Sequence, residues 1–166
     1  MARREIGSTT GPGMTIRRYK TGEEEELWQL RRDTMRHING LDYTREQIAR
    51  WAPEHAADGW VEELRRKNPF VVDHEGVLVG FAELEGNGHI DGFYCHFQWQ
   101  RRGIGTLLYR AIEEEAARLK LDELFLESSV TARGFFLSKG FAIVTEERNL
   151  ICGAPAPRFH MRKKLG

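Results

Sequence analysis

The amino-acid sequence predicts an α+β fold, in which a meander of strands in the middle of the chain is followed by alternating helices and strands. The chain has 166 residues, the length of one domain, and neither an internal repeat nor a second core is evident. Short runs of strand character separated by turn residues fill residues 69–97, and a long amphipathic helix pattern begins at residue 103. We therefore expect one domain over residues 14–166, preceded by a disordered tail or tag over residues 1–13.

Composition and charge exclude several classes of protein. Lys and Arg total 25 and Asp and Glu total 25, so the formal net charge is zero. A neutral chain lacks the field expected of a nucleic-acid binder and the basic surface expected of a membrane-bound protein. The two cysteines, Cys95 and Cys152, are too few for a disulfide framework and indicate free thiols in a reducing compartment. We expect a cytoplasmic protein, a monomer or homodimer, with no nucleic-acid partner, no membrane partner and no signal peptide.

The N-terminal segment predicts a strand over residues 15–19 and then a helix. Thr21 is placed to cap this helix, whose acidic start and basic end complement the helix dipole. The helix should end at Asn39-Gly40. The residues on its apolar face are Leu27, Leu30, Thr34 and Ile38.

The later elements follow from the same periodicities and turn signals. Thr44 begins a second helix that Pro53 ends or bends, and Asn87-Gly88 is a hairpin turn between two strands. The remaining predicted elements are a helix over 58–67, strands over 69–73, 77–84 and 89–97, a helix over 103–120, a strand over 123–128, a helix over 131–139, and strands over 141–149 and 158–165.

The main candidate for a binding function is the sequence Q-R-R-G-I-G at residues 100–105, which joins a strand to the long helix. Backbone N–H groups at a helix start have no partner within the helix and lie at the positive end of its dipole. Glycines let a phosphate approach those groups closely, so the segment predicts an anion-binding loop. It is neither a Walker loop nor a dinucleotide fingerprint. The alternative is a glycine-rich turn with a purely structural role.

The pattern Q-x-x-G-x-G between a strand and an amphipathic helix resembles the acyl-CoA signature of the GNAT N-acetyltransferase superfamily. Residues 126–141 are similar to a second motif of that family, in which a strand is followed by N-x-x-A-x-x-F-Y-x-x-x-G-F. Residues 36–53 also resemble a YafP-like bacterial subgroup. The resemblance covers about nine tenths of the chain. It implies a mixed, twisted central sheet of six to seven strands flanked by helices, with two splayed strands forming a cleft for acetyl-CoA.

The resemblance also implies which residues hold the co-substrate. Backbone groups on the strand before the loop would pair with the pantetheine arm, namely Phe93, Tyr94 and Cys95. Backbone N–H groups of the loop and helix start would bind the pyrophosphate, namely Arg101, Arg102, Gly103, Ile104, Gly105 and Thr106. Ser129 occupies the place of the family's Asn and retains one of its hydrogen bonds. Phe135 and Phe136 would line the sulfur end of the cofactor.

Phe136 departs from the family pattern, because the Tyr that often protonates the leaving thiolate is a phenylalanine here. Phenylalanine cannot donate a proton. Another group would then be the acid, or the thiolate leaves unaided, or the protein binds CoA without turnover. The substitute donors are Tyr94, Tyr43 and Ser128, which the sequence does not rank.

His89 and Asp91 are the candidate bases, since a protonated alkyl amine must lose a proton before it attacks. Alternation along a strand would place both on one face with Phe93 and Cys95. The competing interpretation is a solvated edge pair. Glu83 on the neighbouring strand is a third candidate, and His96, on the other face, is expected to be structural.

Cys95 is also a candidate catalytic residue, through its backbone N–H, which would polarise the thioester carbonyl. Its thiol is expected to be inert packing, because a buried strand thiol is rarely a nucleophile. Trp51 and Tyr43 lie where the family places its acceptor. No histidine has the spacing of a metal ligand, so no metal is predicted.

These observations predict transfer of an acetyl group from acetyl-CoA to a primary amine by direct attack on the thioester. The acceptor would be a small-molecule amine or a protein amine. The alternatives are an acyltransferase that uses a different acyl-CoA and a non-catalytic CoA-binding regulatory module.

Overall fold

The computed structural model describes residues 12–151 and 154–166, so most of the expected tail, residues 1–11, and Cys152 lie outside the described residues. Within the described part, seven strands and five α-helices confirm the predicted α+β class. The strands are β1 (Met14–Arg18), β2 (Phe70–His74), β3 (Val77–Leu84), β4 (Ile90–Cys95), β5 (Glu123–Ser128), β6 (Ala142–Ile151) and β7 (Ala154–Lys164). The helices are α1 (Glu24–His37), α2 (Arg45–Trp51), α3 (Trp60–Lys67), α4 (Ile104–Arg118) and α5 (Val130–Ser138).

The strands form two antiparallel sheets, of order β1-β2-β3-β4 and β5-β7-β6. Parallel pairing, which a mixed sheet requires, is confined in the described chain to one bridge between His89 and Phe125. There the Phe125 N–H donates to the Gly88 carbonyl at 3.0 Å. Beyond the bridge β4 and β5 belong to different sheets and separate, which gives the two splayed strands that the resemblance implies.

Gly88 allows the two sheets to meet at this bridge. Its φ is +95°, a conformation that residues with a Cβ rarely adopt. A Cβ at this position would also overlap the carbonyl oxygen of Glu123, the first residue of β5. The turn before β4 is therefore in direct backbone contact with β5, and the gap between the sheets opens from this point.

Apolar cores cover both faces of the first sheet. On one face α4 buries Ile104 and Leu108 in a core shared with both sheets. On the other, α1 packs Leu27 and Leu30 against Phe81 of β3. Burial of one such side chain contributes about 1.5–3 kcal/mol. The packing holds the first sheet in place and leaves β4 as its edge beside the gap.

Two helix starts differ in how they are capped. The prediction that Thr21 caps the first helix is wrong, because α1 begins at Glu24, and Glu23 precedes it. The Glu23 carboxylate instead accepts the Lys20 N–H at 2.8 Å and pairs with Arg17 at 2.6 Å. The second helix starts as expected at Thr44, which is its N-cap, and the Thr44 hydroxyl accepts the N–H of the third helical residue in a reciprocal capping box.

Several element ends also differ from the sequence prediction. The strand expected over 89–97 ends at Cys95, because residues Phe97–Trp99 form a 3₁₀ turn capped by the His96 ring. The last strand begins at Ala154, four positions before the predicted start, although it contains Pro155 and Pro157.

The prolines are tolerated because β5 pairs with β7 only from Phe159 onward, so this part of β7 is an edge. The Pro155 carbonyl accepts from the Gln47 amide at 3.0 Å, and the Pro157 carbonyl accepts from the Tyr43 hydroxyl at 3.4 Å. Both carbonyls therefore face the helices rather than β6. An N–H group at either position would point the same way, so its absence in proline removes no bond to β6. These bonds attach the segment around α2 to the second sheet.

Candidate active site

A cavity of about 500 Å³ occupies the gap between β4 and β5. It receives residues from α1, the start of α4, α5 and β7 as well as from the two strands. The sequence-predicted site residues that line it are Asp91, Phe93, Tyr94, Cys95, Gly105, Ser129, Phe135 and Phe136. Tyr43, Trp51 and Ser128 line it as well. Polar lining residues that the sequence analysis did not select are Arg31, Thr34, Asn39, Gln100, Glu127, Thr131 and Arg158.

The start of α4 forms one end of the site. Gly103 precedes the helix with φ +82° and, as a glycine, offers no capping side chain. Within the described chain no other side chain caps this helix start either, so the first N–H groups of α4 are directed outward. Lys139, the residue that follows α5, lies beside them, with its Nζ 3.4 Å from the Thr106 hydroxyl oxygen. The exposed Arg101 and Arg102 flank the same loop. Positive charge and free donors suit a phosphate here.

Gly105 brings α4 close to the cavity wall. A Cβ at this position would lie 3.1 Å from the ring of Phe135 and 3.6 Å from the sulfur of Cys95. The first contact is tighter than ordinary van der Waals packing, so a larger residue would push the Phe135 ring aside. The second glycine of the motif therefore serves close packing, whereas Gly103 serves backbone conformation.

The edge of β4 that faces the gap carries unpaired backbone groups. The His96 N–H donates to the Val79 carbonyl at 2.8 Å, and Tyr94 lies opposite Phe81. In an antiparallel ladder, alternate residues direct their backbone groups to opposite sides, so those of Phe93 and Cys95 point away from β3. The groups that an extended ligand would pair with are therefore those of Phe93 and Cys95, whereas Tyr94 pairs with β3.

Gln100 and Thr34 hold the Cys95 carbonyl. The Gln100 amide donates to that oxygen at 2.8 Å and the Thr34 hydroxyl donates at 3.1 Å. These bonds explain the glutamine of the Q-x-x-G-x-G pattern, because it fixes the end of β4 against the loop that follows. The Cys95 N–H stays directed at the gap.

The sequence expectation that His89, Asp91, Phe93 and Cys95 share one face is wrong. Leu84 pairs with Ile90 and Ala82 pairs with Phe93, so β4 contains one residue more than β3 across this interval. This bulge reverses the alternation of side chains between the two faces of β4. As a result Ile90 and Phe93, which are three positions apart, both pack into the same core. Single-residue bulges change which side chains face a site without any strong sequence signal.

His89 is bound by two carboxylates. Its Nδ1 lies 2.9 Å from Glu85 and its Nε2 lies 2.6 Å from Glu127. Burial opposes the charged form, but the hydrogen bonds to the two carboxylates outweigh burial and raise the pKa of His89. The imidazolium donates from both nitrogens and has no lone pair for a further proton. Glu127, and not His89, lines the cavity.

Asp91 is paired with a nearly buried lysine. The Lys67 ammonium contacts the Asp91 carboxylate and lies 3.3 Å from Glu83. Burial alone would lower the pKa of Lys67, but the hydrogen bond to Asp91 and the two negative charges raise it. Burial raises the pKa of Glu83, and Lys67 offsets part of that rise. Of the two carboxylates, only Asp91 reaches the cavity.

The Cys95 thiol and the Phe136 ring are both packed in apolar surroundings. Burial raises the pKa of Cys95 to about 12, so its sulfur stays protonated at neutral pH. Phe136 is 3% exposed and lies within 5.5 Å, centroid to centroid, of Phe93, Phe135 and Phe141. Neither side chain offers a proton or a nucleophile at neutral pH.

The three alternative proton donors differ in their bonding. The Tyr43 hydroxyl accepts the Val130 N–H at 2.8 Å, and burial raises its pKa. The Ser128 hydroxyl donates to the Ser129 carbonyl at 2.8 Å, which occupies its proton. The Tyr94 ring packs against Phe81 and lies 5.7 Å from the Arg31 guanidinium.

Ser129 has a structural role beside its cavity position. Its hydroxyl accepts the Ala132 N–H at 3.1 Å and so caps α5. The Asn39 amide lies 3.5 Å from the same oxygen. Asn39 thus brings an amide to the position where Ser129 replaces the asparagine of the family motif.

No helix within 12–151 and 154–166 is long and apolar enough to cross a membrane. In the same part of the chain no group of three or more His, Cys, Asp or Glu side chains is arranged to hold a metal ion.

The α+β fold, the open strand edge and the helix start beside the cavity agree with the class that the sequence motifs indicated, the acyl-CoA-dependent transferases. The chain matches the family model of the acetyltransferase (GNAT) domain over residues 40–165 and belongs to this family, as the sequence motifs indicated.

The chain is similar to YafP of Escherichia coli (strain K12), which is described as an uncharacterized N-acetyltransferase. The two are 27% identical over 149 residues, which cover 90% of this chain and 95% of YafP. A crystal structure of a GCN5-related N-acetyltransferase from Rhodopseudomonas palustris superposes with a TM-score of 0.83 at 27% identity, covering 96% of this chain and 100% of the other. The PaiA N-acetyltransferase from Thermoplasma acidophilum, solved with coenzyme A, shares the fold, with a TM-score of 0.70 at 20% identity over 92% of this chain and 99% of the other. The chain is therefore an N-acetyltransferase.

Proposed function

We propose that the protein transfers an acetyl group from acetyl-CoA to the primary amine of an acceptor by direct attack on the thioester. The observation that carries this proposal is the continuity of three features: the uncapped start of α4, the open edge of β4 and the cavity between β4 and β5. Together they provide donors for a diphosphate, a strand edge for an amide-containing arm, and a space for the reaction at its end.

The residues present fit acetyl-CoA. The pyrophosphate would bind the N–H groups of the loop and helix start at 101–106, with the ammonium of Lys139 close by. The pantetheine amides would pair with the backbone groups of Phe93 that face the gap, which leaves the Cys95 N–H for the thioester. The cluster of Phe93, Phe135 and Phe136 offers an apolar wall to the sulfur end.

Catalysis then rests on position and on one hydrogen bond to the reacting carbonyl. The acceptor nitrogen forms a bond to the acetyl carbon, and the bond between that carbon and sulfur breaks. The Cys95 N–H would donate to the oxygen as negative charge develops on it. The acidity of the CoA thiol allows the thiolate to leave unaided, which is consistent with a phenylalanine at position 136.

The proton of the attacking amine would pass through water to the carboxylates that line the cavity, Asp91 and Glu127. His89 acts in this proposal as a positioning residue, because its imidazolium holds Glu127 rather than facing the acceptor. Glu83 lies behind Asp91 and shares Lys67 with it, so it would influence the charge of this pair.

The test is to incubate the purified protein with acetyl-CoA and a panel of primary amines, and to measure release of CoA thiol and the mass of the products. Propionyl-CoA and succinyl-CoA test the rival donors. Formation of N-acetyl products with acetyl-CoA as the preferred donor is the expected result. Binding of acetyl-CoA by calorimetry with no product from any amine would overturn the proposed reaction.

A further inference from the structure

Arg31 differs from the neighbouring arginines of α1. Arg32 and Arg36 both pair with the carboxylate of Glu54, at 3.0 Å and 3.2 Å. Arg31 points into the cavity instead, and no described carboxylate lies within 4 Å of it. Its guanidinium donates to the Trp51 carbonyl at 3.0 Å and lies 5.0 Å from the Trp28 ring. The side chain is thus held in place while its charge is not neutralised.

Arg158 supplies a second charge without a carboxylate partner to the same cavity. It lies on the exposed side of β7, opposite Glu147, whose carboxylate pairs with His160 at 3.1 Å, and within the described chain it forms no ion pair of its own. Ser128 pairs with Phe159 in the sheet, so Arg158 is level with the residue after the end of β5. Two arginines from different elements, α1 and β7, therefore line one side of the cavity.

The acidic lining residues lie nearer the closed end of the gap. Asp91 and Glu127 each come two positions after the bridge between His89 and Phe125. Arg31 lies against the ring of Tyr94, and Tyr94 is three positions after Asp91 along β4. Arg158 is level with residue 129, which is two positions after Glu127. At ~3.3 Å per residue, the two charged regions are separated by roughly 7–10 Å.

We propose that the acceptor is a small molecule carrying a carboxylate as well as the reacting amine, the two groups lying at opposite ends of a short chain. This inference rests on the proposed function and names its substrate class. The amine lies near Asp91 and Glu127, and the carboxylate binds Arg31 and Arg158. Arginine binds carboxylates through paired hydrogen bonds. Arg31, held by the Trp51 carbonyl, would be the fixed partner of the carboxylate, and the exposed Arg158 would supply the second charge.

The test compares matched acceptors, each an ω-amino acid together with its carboxamide and its decarboxylated amine. Binding to the CoA-loaded protein is measured by calorimetry, and acetylation is measured separately with acetyl-CoA. The ω-amino acid should bind about tenfold or more tightly than its carboxamide. Arg31→Gln and Arg158→Gln should each raise KM for the amino acid by about tenfold and lower the ratio of its kcat/KM to that of the decarboxylated amine by a similar factor. Arg45→Gln, on the exposed face of α2, is the matched control and should change neither.

The outcomes separate this proposal from the proposed function. Equal binding and turnover of amino acid, carboxamide and amine would overturn the carboxylate assignment and leave acetyl transfer standing. Carboxylate-dependent binding without any acetylated product would support the assignment and overturn the reaction. Loss of turnover on all acceptors in both variants, with unchanged CoA binding, would show that the arginines serve the structure and not the carboxylate.

Discussion

The Nε2 of His89 lies 2.6 Å from a carboxylate oxygen of Glu127, and this contact joins the turn before β4 to β5 at the place where the two sheets begin to separate. The other ring nitrogen contacts Glu85 of the same hairpin at 2.9 Å. An imidazole whose pKa is raised by two carboxylates therefore holds the closed end of the cavity, which connects pH to the geometry of the site.

The stabilisation by His89 should depend on pH. Its pKa is raised in the folded protein, so its contribution is fully present below the unfolded value of about 6.5 and is lost as pH rises through the folded-state pKa. Urea unfolding of the wild type and His89→Gln should therefore give a larger difference in unfolding free energy at about pH 5.5 than at about pH 9. The variant His55→Gln, at an exposed position after α2, serves as control. An equal difference at both pH values would contradict the charged state of His89.

The pH dependence of kcat/KM should identify the proton acceptor. We expect the acidic limb of the profile to move or vanish in at least one of Asp91→Asn, Glu127→Gln and His89→Gln, with a rate loss of roughly 10²-fold or more. Loss in Glu127→Gln together with a smaller loss in His89→Gln would fit a positioning role for the histidine. Glu62→Gln, on the exposed side of α3, is the control. Identical profiles in all variants would exclude these groups, and Glu83 would be the next to test.

Gly105 should be sensitive to any side chain. Gly105→Val places atoms against the ring of Phe135, which lies 3.1 Å from an added Cβ, and so disturbs both the helix start and the apolar wall. We expect CoA affinity to fall by about tenfold or more, at ~1.4 kcal/mol per tenfold. Gly134→Val is the control, because it makes the same change in helix propensity on α5 at a position where an added Cβ has no neighbour within 4 Å. Equal CoA affinity of both variants by calorimetry would remove Gly105 from the binding site.

Phe136→Tyr should leave the turnover rate within about tenfold, which is ~1.4 kcal/mol of barrier, or raise it if protonation of the leaving thiolate limits the rate. The new hydroxyl would enter a cluster of aromatic rings, so the melting temperature should fall unless the hydroxyl reaches the cavity. Phe136→Leu reports the effect of lost ring packing alone. A thousandfold loss in the folded tyrosine variant would reveal a steric role at the thioester.

Local features of the fold were predictable from the sequence because they depend on residues close together in the chain. The capping box at Thr44, the turn at Asn87-Gly88 and the long helix after Gly103 all follow from short-range patterns. The family motifs also predicted two parts of the candidate site, the strand edge and the helix start, because they place these next to each other.

The features that the sequence did not reveal arise from contacts between distant segments. The bulge that separates Asp91 from the face of Phe93 depends on pairing with β3. Glu127 contacts His89, which is 38 positions away in the chain. Lys67 contacts Asp91, which is 24 positions away, and neither pair could be recognised without the fold. Similarly, Arg31 appears in sequence as one of several arginines on α1, and only the cavity distinguishes it from Arg32.

The unpaired edge of β4 has a consequence for the protein when no co-substrate is bound. An exposed strand edge is a template on which another polypeptide strand can pair, and it promotes aggregation. Here the Thr34 hydroxyl and the Gln100 amide already occupy the Cys95 carbonyl, and residues of β5 and α5 line the opposite side of the cavity. The groups that shape the cleft therefore leave less of this edge open to pairing with a second polypeptide strand.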